Sequence, residues 1–305
     1  MKKNECFKIQ LKRIVNDNFS NGEEIYKIPC SSYFTFFKEP ISIVADPFLF
    51  VRHDTLYLFY ECKNLYHDAI ICMVCTKDLR KWTKPVIVLK ESFHLSYPFV
   101  FEYQGEVYMI PETCAVNEVR LYKAENDKLE SFRYLKTLIR DQNQENDIDI
   151  SYSDSSVFLY NGMWYLFTTI NKKGINELYL YFSENFDGPY EKHIKSPIIR
   201  SQKYGRNGGS LIECNSSLFR VAQDCVDKYG DNVHLLKILK ISENVYEETV
   251  CKEYIFNKEI EFYKCGGHHL NIVEFKKQKI IATDAKEYHY FCGARILHKL
   301  GFWRK

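Results

Sequence analysis

Short stretches in which apolar and polar residues alternate recur along this chain, and they come in pairs joined by two or three turn-forming residues. Five pairs align: ADPFLFVRHDTLYLFYE (45–61), SYPFVFEYQGEVYMIPE (96–112), SDSSVFLYNGMWYLFTT (153–169), NGGSLIECNSSLFRVAQD (207–224) and GHHLNIVEFKKQKIIATD (267–284). Each reads as a strand, a tight turn and a second strand. The turns are HD, QG, NG, NSS and KKQ, and Asn161-Gly162 is a favoured two-residue hairpin turn because both positions tolerate positive φ. Counting from Asp46 through Tyr97, Asp154 and Gly208 to His268 gives intervals of 51, 57, 54 and 60 residues. Strand-like runs between the pairs, among them IICMVCT, PVIVLKE, VRLYKA, FRYLKTLI, ELYLYFS, HLLKILKIS and KEYIF, bring each interval towards four strands. That period predicts an all-β, five-bladed β-propeller with residues 1–305 as a single domain and repeats starting near 45, 96, 153, 207 and 267. A β-sandwich also has regular turns, but it does not account for the same polar position recurring at both ends of each pair.

Those recurring positions carry the candidate chemistry. First strands begin with Asp46, Tyr97, Asp154, the Asn207-Gly208-Gly209 turn, and His268 with His269, and second strands end with Glu61, Glu112, Thr169, Asp224 and Asp284. A hairpin brings these two ends together, and a propeller turns its first strands to one axis, so an acidic central funnel is expected. Mutual repulsion there should raise some carboxyl pKa values and separate a general acid from a general base, which is the chemistry of glycosidic bonds. Arg206, beside two glycines, suits a ligand carboxylate or phosphate, or alternatively a salt bridge to a funnel carboxylate.

Composition narrows the partners. With 42 Lys+Arg against 40 Asp+Glu the formal net charge is +2, so no global field gathers nucleic acid. The sequence has no apolar run long enough for a spanning helix, and MKKNECFKIQLKRIV lacks the pattern of a secretory signal. Eleven cysteines without framework spacing read as reduced thiols in a cytoplasmic protein, and Cys72-x-x-Cys75 reads as core filling. No cofactor is expected, and the spacing of His, Asp and Glu defines no metal site. The tail 294–305, ARILHKLGFWRK, sets Ile296, Leu297, Leu300, Phe302 and Trp303 among basic residues, which suits either a peripheral contact with anionic lipid or a cap on the propeller.

ADPFLF, TKDLRKW, SDSSVF and FSENFDGPYEKH resemble the propellers of glycoside hydrolase family 43 and its relatives. SYPFVFEYQGEVYMIPET with RNGGSLI, AQD and YGDNV resembles the propeller domain at the N-terminus of plant glucosamine inositolphosphorylceramide transferases, which also occurs alone in bacterial polysaccharide clusters. The likeness runs over about 44–284. The hydrolase resemblance implies Asp46 as base and Asp154 as the residue that orients and tunes the acid. The family's acid, a Glu opening the fourth blade, is replaced here by Arg206-Asn207-Gly208-Gly209. Glu112 or Asp224 is then the substitute acid, with Glu61, Tyr97, Arg206, His268, His269 and Asp284 binding substrate.

Three readings of function follow. The first is a glycosyltransferase of surface-polysaccharide assembly using a phosphate-activated sugar donor and a glycan or lipid-linked acceptor, for which a readily leaving phosphate needs little general acid. The second is a glycoside hydrolase, and the third a non-catalytic sugar-binding propeller.

Overall fold

The computed structural model describes residues 3–15, 19, 21–31, 38–140, 151–291 and 293–303. The first two strands, β1 (Asn4–Ile14) and β2 (Glu23–Ile28), pair with each other. They are followed by an antiparallel meander of β3 (Ile41–Arg52), β4 (Thr55–Asn64), β5 (Ile70–Thr76) and β6 (Val86–Leu89). A second meander contains β7 (Ser96–Tyr103), β8 (Glu106–Glu112), β9 (Glu118–Ala124) and β10 (Phe132–Arg140). The third comprises β11 (Tyr152–Tyr160), β12 (Met163–Lys172) and β13 (Ile175–Ser183), edged by the short β14 (Glu191–Lys192) and β15 (Ile199–Arg200).

In the fourth, the inner strand is split into β16 (Arg206–Asn207) and β17 (Ile212–Cys214), and β18 (Ser217–Asp224), β19 (Asn232–Ile241) and β20 (Tyr246–Lys252) follow. The last hairpin, β21 (Leu270–Phe275) and β22 (Gln278–His289), is completed by β1 and β2, since β22 pairs with β1 from Asn4↔His289 to Ile14↔Lys279. Among the described residues these make five sets of four or five strands, the last joined to the first by one parallel bridge, Phe7↔Ile43.

Packing arranges these sets as a ring. One apolar cluster runs through the first three sets, from Phe48 and Phe59 through Met109 and Tyr122 to Trp164 and Leu166. Phe167 and Leu180 meet Ile238 and Tyr246, joining the third set to the fourth. Val221 and Val233 meet Leu270 and Ile281, while Ile9, Leu11 and Ile280 meet Val44 and Leu58, so the fifth set touches both the fourth and the first. This is the β-propeller that the hairpin period predicts.

All five repeat hairpins turn through two residues with positive φ: His53-Asp54, Gln104-Gly105, Asn161-Gly162, Asn215-Ser216 and Lys276-Lys277. That turn matches the right-handed twist of the strands, which is why these small or polar residues stand there. Cys72 and Cys75 project to opposite faces of β5 into two different apolar clusters, in keeping with core filling. One expected strand is misplaced: the outer strand of the fourth set is β20, ending at Lys252, and not the KEYIF run. After the last strand a short helix, α1 (Ala294–Lys299), packs back onto the body: Ala294 is buried beside Cys6 and Phe291, and His298 stacks on Tyr66 at 4.0 Å. Ile296 and Leu300 remain exposed, and Arg304 and Lys305 lie outside the described residues.

Candidate functional site: a buried carboxylate, histidine and arginine cluster

Three strand starts carry the same backbone device. The register of β3 with β4 shifts between Ala45 and Phe48, that of β7 with β8 between Ser96 and Phe99, and that of β11 with β12 between Ser153 and Ser156. Inside each bulge one residue is left-handed: Asp46 at φ 51°, Tyr97 at 45° and Asp154 at 52°. Positive φ is costly for such residues, and bulges re-aim side chains, so three equivalent positions strained alike point to a shared purpose. The side chains converge. Asp46 Oδ2 accepts the Tyr97 N–H at 3.0 Å, and the hydroxyl of Tyr97 donates to Gly209 O at 2.8 Å while accepting the Gly209 N–H at 3.1 Å.

Asp154 is the most heavily engaged. Arg206 Nε donates to its Oδ2 at 2.6 Å and Gln223 Nε2 to the same oxygen at 3.1 Å, while Asn207 Nδ2 holds its carbonyl at 2.8 Å. Arg206 Nη2 also lies 3.7 Å from Glu112 Oε2. On the far side, His268 Nδ1 lies 2.6 Å from Asp284 Oδ2 and its Nε2 3.5 Å from Asp46 Oδ1, with His269 Nδ1 3.6 Å from the same Asp46 oxygen. Asp46, Asp154 and Glu112 are only 4%, 3% and 9% exposed. The most open members are Arg206, whose side chain is 17% exposed, and Tyr229, at 41%, whose ring lies under the guanidinium at 5.1 Å and against His268 at 5.1 Å.

Electrostatics separate the two aspartates. Burial pushes the Asp46 carboxyl up, but His268, His269 and the Tyr97 N–H outweigh it and hold it at about 2. Burial pushes Asp154 well above the usual carboxylate range, with Glu112 and Asp46 adding to the rise and Arg206 opposing it. Glu61 is likewise raised chiefly by burial, offset by its contact with His94 Nε2 at 3.3 Å. The expectation of mutual repulsion is therefore corrected: desolvation comes first and like charge second. His268 is raised to about 9, because Asp284 and Asp46 outweigh its burial. Ligand atoms of Asp46, His268 and Asp284 lie within 4.8 Å of one another, but a cation there would require His268 to lose its proton first.

The second-strand ends also hold the backbone of neighbouring sets. Asp284 Oδ2 accepts the backbone N–H of Asp46 at 3.2 Å, Glu112 Oε2 that of Asp154 at 3.2 Å, and Thr169 Oγ1 that of Asn207 at 3.2 Å. At three junctions, then, the polar terminus of one set accepts a backbone N–H at the start of the next, and at Asp46 and Asp154 that start is a bulge without a register partner. Asp284 further accepts the N–H groups of His268 and His269 at 2.8 and 3.1 Å. Asp224, one of the two candidate acids, meets His234 Nε2 at 3.1 Å and accepts the Val226 N–H at 3.0 Å.

The two glycines are also reinterpreted. A Cβ on Gly209, at φ +150°, would stand 2.0 Å from Leu270 O, and one on Gly208 would stand 2.9 Å from His268 O. Their smallness admits the neighbouring set, and Arg206 takes the salt-bridge alternative. Gln223, Tyr229 and His94 were not singled out from the sequence, and Asn207 was named there only as part of a turn. Asn207 and Gln223 sit within the aligned repeats, where the NGG and AQD motifs were the available signal.

Comparison with known proteins agrees with this fold. The family described as "Glucosamine inositolphosphorylceramide transferase 1, N-terminal" matches residues 26–285. Glucosamine inositolphosphorylceramide transferase 1 of Oryza sativa subsp. japonica is 39% identical over 219 residues, which is 69% of this chain and 28% of that protein. The Arabidopsis thaliana protein of the same name is 34% identical over 231 residues, 73% of this chain and 29% of its own length. The chain thus spans under a third of these relatives. Among solved structures, Zg3597, a family 117 glycoside hydrolase from Zobellia galactanivorans, superposes with a TM-score of 0.55 at 11% identity, covering 80% of this chain and 84% of that one. A thermostable family-43 glycoside hydrolase gives 0.54 at 17%, covering 71% and 77%. At such identities these two likenesses concern the fold alone.

Proposed function

The chain belongs to the family of the glucosamine inositolphosphorylceramide transferase 1 N-terminal domain, and from that premise we propose that it serves glycosyl transfer from a phosphate-activated sugar donor to a glycan or glycolipid acceptor. The observation that carries this reading is Arg206, a partly exposed cation bonded to Asp154 in the place where the resembling hydrolases have their acid. A guanidinium cannot protonate a leaving sugar oxygen at neutral pH, but it can neutralise a leaving phosphate. In the proposed step the acceptor oxygen bonds to the anomeric carbon as the bond to the donor phosphate breaks, and the acceptor proton passes to a carboxylate. The separated pKa values favour Asp154 for that proton and leave Asp46 to hold His268 and His269. Turning Arg206 towards the donor phosphate removes its pull on Asp154 and so raises that carboxyl's proton affinity when it is needed.

A cytoplasmic setting belongs to the same proposal, supported by ten cysteines outside any disulfide among the described residues. So does contact of the 294–303 segment with lipid, supported by the exposed Ile296 and Leu300. A second reading, a sugar-binding domain whose carboxylates do no chemistry, is favoured by their near-complete burial and by the length of the relatives outside the match. Nucleotide sugars, hexosamine-bearing ones included, supplied with glycolipid acceptors decide between the two. Release of nucleotide that disappears in Asp154→Asn and Arg206→Ala supports transfer. Sugar binding by calorimetry with no donor turnover supports the second reading and sinks the first.

A further inference from the structure

Away from the central cluster, the pairing of β1 with β22 sets Cys6 opposite Glu287 and Asn4 opposite His289. Cross-strand partners and residues two apart share a face, so Cys6, Glu287 and His289 project to the same side. Cys30, two residues beyond the end of β2, reaches that side from the other edge of β1. Its Sγ lies 2.7 Å from Glu287 Oε1, which lies 2.8 Å from His289 Nε2, and the ligand atoms of these three residues are all within 4.8 Å of one another. The Cys6 thiol is hydrogen-bonded to that of Cys30. Both thiols are buried under Phe291, Ala294 and Trp303 at the base of α1.

Core filling explains two buried thiols, but not a carboxylate and an imidazole turned onto them. We propose that Cys6, Cys30, Glu287 and His289 are the four ligands of a zinc ion. Two sulfurs, one imidazole nitrogen and one carboxylate oxygen suit zinc and exclude the hard, all-oxygen preference of calcium and magnesium. Bonds of about 2.3 Å to sulfur and about 2.0–2.1 Å to nitrogen and oxygen put tetrahedral ligand atoms roughly 3.3–3.8 Å apart, within the 4.8 Å that already encloses the ligand atoms of Cys30, Glu287 and His289, while Cys6 would join through its contact with Cys30. Two thiolates and a carboxylate around a dication leave one negative charge, and Lys8 Nζ, 2.8 Å from the other Glu287 oxygen, balances it while fixing the carboxylate's orientation. The ion would fasten the first strand, the segment after β2 and the last strand to one another, so its free energy of binding would act on closure of the ring.

The test uses the full chain purified under reducing, chelator-free conditions, with metal measured by plasma mass spectrometry. About one zinc per chain is expected, with saturable re-uptake of zinc chloride after chelator treatment and a melting temperature that falls on chelation and recovers on repletion. Cys30→Ser and His289→Ala should each weaken zinc uptake roughly 100-fold or more. Should both variants fail to fold, cobalt(II) added to the zinc-free native chain still reports: a thiolate-to-cobalt charge-transfer band with the strong visible bands of a tetrahedral site is expected. Sub-stoichiometric zinc without saturable re-uptake, cobalt spectra lacking the thiolate band, unchanged zinc content in both folded variants, or a Cys6–Cys30 disulfide in protein prepared without oxidant would each overturn the proposal.

Discussion

Replacing Asp284 with Asn keeps a side-chain carbonyl for the N–H groups of His268 and His269, which share Oδ1, but sets an amide NH2 where Oδ2 accepts the Asp46 N–H, and it removes the charge that faces the His268 imidazole. In the native protein burial disfavours protonated His268, but Asp284 first and Asp46 next outweigh it and lift its pKa from 6.5 to about 9. A group raised on folding contributes in full below its unfolded pKa and loses that contribution as pH rises through the folded value. At ~1.36 kcal/mol per unit, His268 is worth about 3 kcal/mol at pH 6, about 2 kcal/mol at pH 7.5 and close to nothing at pH 10. Asp284→Asn should remove roughly half or more of this pH-dependent part, and ~1–3 kcal/mol besides at every pH because a neutral acceptor replaces a charged one. Guanidinium unfolding of both proteins at several pH values from 6 to 10 measures the difference, in which all other titrating groups common to the two cancel. The gap should narrow as pH rises. Two stability curves that run parallel across that range would refute the ion-pair account, whatever the size of the offset.

Other outcomes follow from the junctions and the glycines. Gly209→Ala should cost about 3 kcal/mol or more in chemical denaturation, since both its φ of +150° and the 2.0 Å approach to Leu270 O forbid a side chain. Thr169→Val should lose about 1–2 kcal/mol by orphaning the Asn207 N–H, and Thr169→Ser should restore most of it. Asp224→Asn should leave sugar binding and any donor turnover unchanged in steady-state assays, whereas Asp154→Asn should abolish turnover. Equal loss in the two variants would support Asp224 as the acid.

The hairpins were legible because each is local: a period-two strand, two residues able to take positive φ, and another such strand. Convergence of Asp46, Tyr97 and Asp154 could also be read from spacing, because equivalent positions of cyclic repeats meet at the axis. What those side chains then bond was not legible. Glu112, Thr169 and Asp284 answer to backbone donors in the next set, so their recurrence reflected a requirement of the joints at least as much as chemistry. Asp224 breaks the series because His234, on the neighbouring strand, claims it first. The partners of the last hairpin were invisible for a different reason: they lie near the beginning of the chain, and only the ring brings residue 9 to residue 284. In β20 the run YEETVCK has charges on both faces of an outer strand, so the apolar signal shifted to the buried Ile255 and Phe256 that follow it.

The pairing of β1 with β22 also constrains the order of events on the ribosome. β1 emerges long before its antiparallel partner, and loop closure over that span is slow. Until then Ile9 and Leu11 have no strand beside them on that edge, and the nascent chain offers an open sheet edge to any passing strand. A chaperone that shields the early strand, or a translation pause late in the message, would therefore act on yield far more than on the stability of the finished protein.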